Sequence, residues 1–313
     1  MEEIPLEKMQ KIVSKYNNYY LYINSPFCIT SCEFCVYKSS VAGKFSQSEF
    51  DNFYTYYLPT VVSRLKGPLQ GKTIESYFFG GGTPSLMDDK TFKNLMIGLP
   101  GHPRHIAFEI HPAFYSADLV KMIGAFRLSG PVGIVCLQTF NEPWMQQQRR
   151  PIASETEIRA LVNLMKNEGM FVMSDVIAFG DNDVLLDDLR RLENIGVDEI
   201  SVMPLFQYHN QLDMNTAKMI RRFVADSDVF NETMETPKAF RMLRKGVSAD
   251  SFVNDIFPHI RALDVCGHGV NVLGIGSFKP LDNHIFSIIN GDKYIEKNIK
   301  GTPHYYKIGS TAR

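Results

Sequence analysis

The sequence predicts an α/β fold, a partial (β/α)6 barrel with a short C-terminal extension. Three observations carry this. Six short runs rich in β-branched and aromatic residues recur along the first two thirds of the chain. Segments with apolar residues at three- and four-residue steps separate them, and neither a tandem repeat nor a low-complexity linker interrupts the alternation. Alternating β and α units cover both faces of a parallel sheet with helices. A chain of 313 residues is long enough for one such domain and an extension.

Taken in order, residues 1–18 are amphipathic and mixed in charge, and read as an N-terminal helical segment. The barrel occupies 19–210, with strands at 19–25, 73–80, 105–112, 132–138, 171–179 and 199–206, each dominated by side chains that suit a pleated, buried surface. Crossover helices fit 46–66, 88–98 and 116–126. A further helix starts at Ser154, where Ser154 and Glu157 form a capping box ahead of Ile158, Leu161, Val162 and Met165, and stops at Gly169. Another runs from Val184 to Ile195, with Gly196 as its stop. Beyond 210 the pattern weakens, and 211–313 reads as an extension completing the site. Its Phe230, Phe240, Phe252 and Phe257 and the Cys266-Gly267-His268 segment either line the site or pack in the core, the more common place for such aromatics.

Composition narrows the functional classes. The 33 basic and 34 acidic residues nearly cancel, and no basic stripe stands out, so no nucleic-acid partner is expected. The first residues lack the basic flank and apolar run of a signal peptide, and nowhere do about 18 apolar residues run together. The expectation is a cytoplasmic protein with no membrane partner. In a reducing compartment the five cysteines are better read as ligands or buried thiols than as disulfide partners.

Three of those cysteines, Cys28, Cys32 and Cys35, follow the first strand at C-x₃-C-x₂-C spacing. Thiolates are soft ligands suited to zinc or iron–sulfur clusters, and such spacing lets one loop wrap a metal centre. Structural zinc demands four ligands, which would require a distant histidine such as His111 or His268. Three thiolates suit a cubane with one iron open. Gly80, Gly81, Gly82 and Thr83 end the second strand; by themselves they read as a tight turn, and beside the cysteine loop as a backbone edge for a polar ligand. Glu109, Gln138 and Asp175 fall at or near the ends of the third, fourth and fifth strands, where barrel enzymes assemble their sites; strand-end hydrogen bonding is the alternative role for each.

The cysteine motif resembles that of the radical SAM (S-adenosylmethionine) superfamily. Tyr22-Ile23-Asn24-Ser25-Pro26-Phe27-Cys28, Phe79-Gly80-Gly81-Gly82-Thr83-Pro84-Ser85, Glu109-Ile110-His111-Pro112, Gln138-Thr139-Phe140 and Asp175-Val176-Ile177 are, in order, similar to motifs of its oxygen-independent coproporphyrinogen III oxidase-like branch. The resemblance covers roughly 19–210 and returns faintly at Gly274 to Phe278 and at Tyr294. It implies a [4Fe–4S] cluster on the three cysteines and one or two SAM molecules, with the glycine segment holding the methionine amino group. It also implies that Tyr22 and Phe34 touch SAM and that Arg150 lies in the SAM-binding region, with its neighbour Arg149 leaving that assignment open.

The activity so implied is reductive cleavage of SAM to a 5′-deoxyadenosyl radical. A flavodoxin- or ferredoxin-type electron donor and a small-molecule substrate would be the partners. The branch carries a histidine where this chain has Asn24, and a serine and a glycine where it has Ile134 and Cys136. The chain ends at Arg313 without the branch's long C-terminal domain, so a porphyrin substrate is not expected. The leading expectation is a methyltransferase or carbon-bond-forming enzyme on a small or natural-product-like substrate. The alternatives are radical oxidation, rearrangement or adenosylation without methyl transfer, and a non-catalytic heme-binding chaperone. Cys136 and Cys266 are read as buried thiols.

Overall fold

The computed structural model describes residues 2–35, 45–126, 130–205, 211–236, 239–247, 272–275, 285–289, 292–299 and 302–310. The N-terminal segment opens on a strand and holds one helix. Strand β1 (Glu2–Ile4) pairs antiparallel with the strand Thr302–Ser310, and helix α1 (Leu6–Ser14) begins only after Pro5. Proline fixes φ and lacks an N–H, so it suits a helix start and not a helix interior.

The six expected barrel strands form: β2 (Asn18–Ser25), β3 (Thr73–Gly81), β4 (His105–Ile110), β5 (Pro131–Gln138), β6 (Phe171–Ala178) and β7 (Glu199–Pro204). Each pairs parallel with the next in sequence order. The third ends two residues earlier than expected because His111 to Phe114 fold into a tight turn, with the Phe114 N–H donating to the His111 carbonyl at 2.9 Å.

The helices fill the crossovers. The expected 46–66 helix is α2 (Gln47–Asn52), a π-helical turn (Phe53–Tyr57) and α3 (Leu58–Leu69). Pro59, in the first turn of α3, has no N–H to return to the preceding turn, a local reason for widening the spiral there. The widened turn buries Phe53, Tyr54 and Tyr57, and the rings of Phe50, Phe53 and Tyr54 surround Phe27, the residue before Cys28. Then come α4 (Asp89–Gly98), α5 (Ala117–Ala125), α6 (Glu142–Gln147), α7 (Glu155–Asn167) and α8 (Asn182–Ile195). Helix α7 carries the expected capping box, and α8 ends on left-handed Gly196 (φ 94°).

The segment after 210 extends both edges of this sheet. Helix α9 (Met214–Asp226) leads to β8 (Phe230–Thr236) and β9 (Ala239–Arg244), and β9 pairs antiparallel with β7. Strand β10 (Val272–Ile275) pairs parallel with β2, and β11 (Ile285–Ile289), β12 (Asp292–Ile299) and β13 (Thr302–Ser310) follow as a meander. Phe230 and Phe240 are buried core, as expected. Phe252, Phe257, Cys266, His268 and the segment from Gly276 to Phe278 lie outside the described residues.

Strand alternation divides the side chains into two layers. The larger apolar cluster packs sheet against helices, whereas Phe78, Ala107, Val132, Ile134 and Met173 form a separate cluster on the opposite, inner face. Two residues further along β3, β4, β5 and β6, the same face carries Gly80, Glu109, Cys136 and Asp175. The interior therefore changes from apolar to polar toward the C-terminal ends of the strands.

Candidate functional site

A cavity of about 490 Å³, counting space open to solvent, lies at those strand ends and is lined by Cys28, Cys32, Cys35, Phe34, Gly81, Gly82, Thr83, Glu109, His111, Cys136 and Arg150 among others. Two backbone bonds join the cysteine loop to the glycine segment: Gly82 N–H to the Ser25 carbonyl and Thr83 N–H to the Phe27 carbonyl, both 2.7 Å. Thr83 Oγ1 is 3.1 Å from Cys28 Sγ. A Cβ on Gly82 would strike the Phe27 and Ser25 backbone, and Gly81 sits at φ 100°, so glycine is required at both positions.

The other side of the loop is tied to the end of α6. Glu33 N–H donates to the Gln148 carbonyl at 2.9 Å, and the Thr30 hydroxyl donates to the Arg149 carbonyl at 2.8 Å. The two arginines are thereby distinguished. Arg149 points outward to an exposed ion pair with Glu33 at 3.3 Å, while Arg150 turns into the cavity. Its Nη1 donates to Cys32 Sγ at 4.0 Å, its Nη2 to the Cys136 carbonyl, and its guanidinium lies over the Phe34 ring at 5.8 Å. Trp144 stacks between Phe34 (5.4 Å) and Phe179 (4.5 Å) and backs this arrangement. Neither aromatic partner was singled out in the sequence, since both lie outside the motifs and reach Phe34 only through the fold.

Charge in the cavity follows from burial. Burial, and then the nearby Asp175 carboxylate, push the Glu109 carboxyl up to about 8, although the Gly81 N–H bonds to it, so Glu109 holds its proton at neutral pH. Burial raises the Cys32 thiol, and Arg150 opposes the rise. Burial and the neighbouring carboxylates push Cys136 far up. Burial and the positive charge of Arg150 lower His111 to about 2, so its ring is neutral.

Of the sequence-derived candidates, Cys28, Cys32, Cys35, Phe34, Gly81, Gly82, Thr83, Glu109 and Arg150 meet on one cavity. Tyr22, Gly80, Gln138 and Asp175 are not on its lining. Tyr22 stacks on Phe78 at 5.4 Å, its hydroxyl beside Gly80 and Glu109, and Asp175 acts on Glu109 electrostatically. Gln138 closes β5 in the left-handed region (φ 77°) after a shift of register against β6. Cys136, expected as a buried thiol, and His111, expected only as an alternative zinc ligand, both line the cavity. Among the described residues no three Cys, His, Asp or Glu side chains converge on a single metal ion.

Comparison with solved structures settles the fold. Coproporphyrinogen III oxidase (HemN) from Escherichia coli, described as a radical SAM enzyme, superposes with a TM-score of 0.70 over 97% of this chain and 75% of its own, at 17% identity. The chain shares the fold of that enzyme. Sequence relatives lie in the same branch as the motifs. The heme chaperone HemW of Haemophilus influenzae is 30% identical over 195 residues, 58% of this chain and 49% of the relative. The oxygen-independent coproporphyrinogen III oxidase of Bradyrhizobium diazoefficiens is 28% identical over 218 residues, 61% of this chain and 45% of the relative. The chain thus spans about half the length of the curated relatives it matches. No protein-family model matches it. No helix among the described residues is long and apolar enough to cross a membrane.

Proposed function

We propose that the chain binds a [4Fe–4S] cluster and S-adenosylmethionine and cleaves the latter reductively. The observation that carries the reading is the convergence of three thiols, a glycine edge, Glu109 and Arg150 on one cavity at the strand ends. The donor set fits the cluster. Soft thiolates suit iron–sulfur centres, and all three line one cavity. Cys28, Cys32 and Cys35 would hold three irons, and a cationic Arg150 beside Cys32 would favour its thiolate form. When bound and reduced, the cluster would supply the electron that splits the sulfonium of SAM.

The chain's own residues account for the rest. Gly81 and Gly82 let a polar ligand approach the backbone, Glu109 can donate as well as accept because it keeps its proton, and Phe34, stacked on Trp144, gives the cavity an apolar wall. Anaerobic reconstitution followed by mass spectrometry of the SAM products tests the proposal. 5′-Deoxyadenosine alone would assign radical chemistry without methyl transfer, and 5′-deoxyadenosine with S-adenosylhomocysteine would assign methyl transfer to a small substrate. A reconstituted protein with no iron–sulfur absorption and no SAM cleavage under strong reductant would refute it. A second reading, heme binding without turnover, is favoured by the 30% identity to a heme chaperone. Heme titration followed by absorbance, with no SAM products, is its signature.

A further inference from the structure

His111 lines the cavity and is 6% exposed, and its Nε2 is buried with no hydrogen-bond partner. The other ring nitrogen decides what that atom can do. Nδ1 accepts the N–H of Ala113 at 3.2 Å, within the tight turn that follows β4. A nitrogen that accepts a backbone N–H carries no proton, so the proton of the neutral ring sits on Nε2. Nε2 is therefore a donor and not a metal ligand, which removes His111 as the fourth ligand of a zinc site. The turn holds the ring in place: the His111 N–H donates to Ser85 Oγ at 3.0 Å, the Ser85 hydroxyl donates to the Phe114 carbonyl at 2.6 Å, and the Phe114 ring packs at 5.0 Å. A second buried N–H on the same cavity, Arg150 Nε, is also without a partner. A buried donor left unpaired loses its hydration without compensation, so two on one cavity mark a place built for an acceptor.

We propose that His111 Nε2–H donates a hydrogen bond to an anionic acceptor bound in this cavity, with Arg150 Nε–H as its companion donor. Resting on the cluster-and-SAM reading, this assigns a ligand-binding role to the residue just before Pro112. Two sources offer such an acceptor: a sulfur of the cluster and the carboxylate of SAM. Hydrogen bonds to cluster sulfurs raise the reduction potential, and hydrogen bonds to a carboxylate strengthen its binding.

Two substitutions separate this role from turn formation. In His111→Asn the side-chain oxygen can still accept the Ala113 N–H, as asparagine does in Asx-turns, while the donor at the far side of the ring is gone. In His111→Gln the amide reaches the former Nε2 position, and the turn bond is lost. Unfolding of the apo protein in urea, iron uptake, the cluster potential without SAM by EPR-monitored titration, and the SAM Kd of the reconstituted protein are measured for each. H111N is expected to keep apo stability. It should weaken SAM binding about tenfold if the acceptor is the carboxylate; if the acceptor is a cluster sulfur, it should lower the potential by an equivalent ~59 mV or lose iron uptake. H111Q should retain the property that H111N loses. If H111N matches the wild type in iron uptake, potential and SAM affinity, or if it loses stability before any ligand is added, the inference is overturned. A wild-type protein that takes up no iron would instead defeat the cluster reading itself.

Discussion

Gly82→Ala should separate the cysteine loop from the strand that supports it. A Cβ at this position would lie far inside contact distance of the Phe27 carbonyl oxygen, 2.8 Å from the Phe27 carbonyl carbon and 3.0 Å from the Ser25 carbonyl oxygen. These are backbone atoms, so no side-chain rotation relieves the overlap. Restoring ordinary contacts requires the loop to withdraw by about 1 Å. That withdrawal strains the Gly82-to-Ser25 and Thr83-to-Phe27 bonds, which are each 2.7 Å. At about 1 kcal/mol net for each bond and about 1–3 kcal/mol for overpacking, the variant should lose roughly 3–5 kcal/mol. Because Phe27 precedes Cys28, the same shift moves the first thiol away from Thr83, and cluster retention should fall with stability.

Urea unfolding of the apo protein and iron content after anaerobic reconstitution measure the two effects. Gly98→Ala, at the end of α4 where an added Cβ meets nothing within 4 Å, is the control and should be neutral or stabilising. A G82A protein with wild-type stability and full iron content would refute the reasoning, since it would mean that the glycine edge does not fix the loop.

Cys32→Ala should abolish iron–sulfur absorption and SAM cleavage together, read by spectroscopy and product analysis after reconstitution. Glu109→Gln should flatten the dependence of stability on pH. The native carboxyl titrates near 8 and the ordinary value is 4.5, so between them the folded protein holds a proton that the unfolded chain has released. Stability from this group therefore falls as pH rises through that window, by up to about 5 kcal/mol at ~1.4 kcal/mol per unit. Urea unfolding of the apo protein at about pH 5 and about pH 8 checks the sign, and parallel profiles for wild type and E109Q would contradict the assignment. Trp144→Ala removes the stacking support of Phe34 and should cost about 2–4 kcal/mol and weaken SAM binding by calorimetry, with Trp144→Phe intermediate. Ser154→Ala should cost about 1 kcal/mol through the lost helix cap while leaving iron content unchanged.

The barrel was legible in the sequence because each of its signals is local. Buried parallel strands read as continuous apolar runs, amphipathic helices repeat at three to four residues, and Ser154, Glu157 and Gly196 mark helix ends by hydrogen bonds made within a turn. Departures have equally local causes. Pro5 delays the first helix, Pro59 accompanies the π-helical turn, and the His111 turn shortens β4. The part played by 211–313 was not legible, because edge strands are recognised by their partners: Glu2–Ile4 pairs with residues about 300 positions away.

The three-cysteine loop and its soft-ligand chemistry belong to the sequence alone, since C-x₃-C-x₂-C spacing needs nothing beyond one loop to bring the thiols near each other. The glycine edge, Glu109 and Arg150 could be named as candidates there, but only the parallel register of β2 to β5 brings them to one cavity. Tertiary structure alone decided between Arg149 and Arg150, set Trp144 behind Phe34, turned Cys136 from a buried thiol into a cavity wall, and fixed the proton of His111 on Nε2. Each of those outcomes depends on which way a side chain faces and on what lies opposite it. Those are properties of packing between distant segments, and residue order does not carry them.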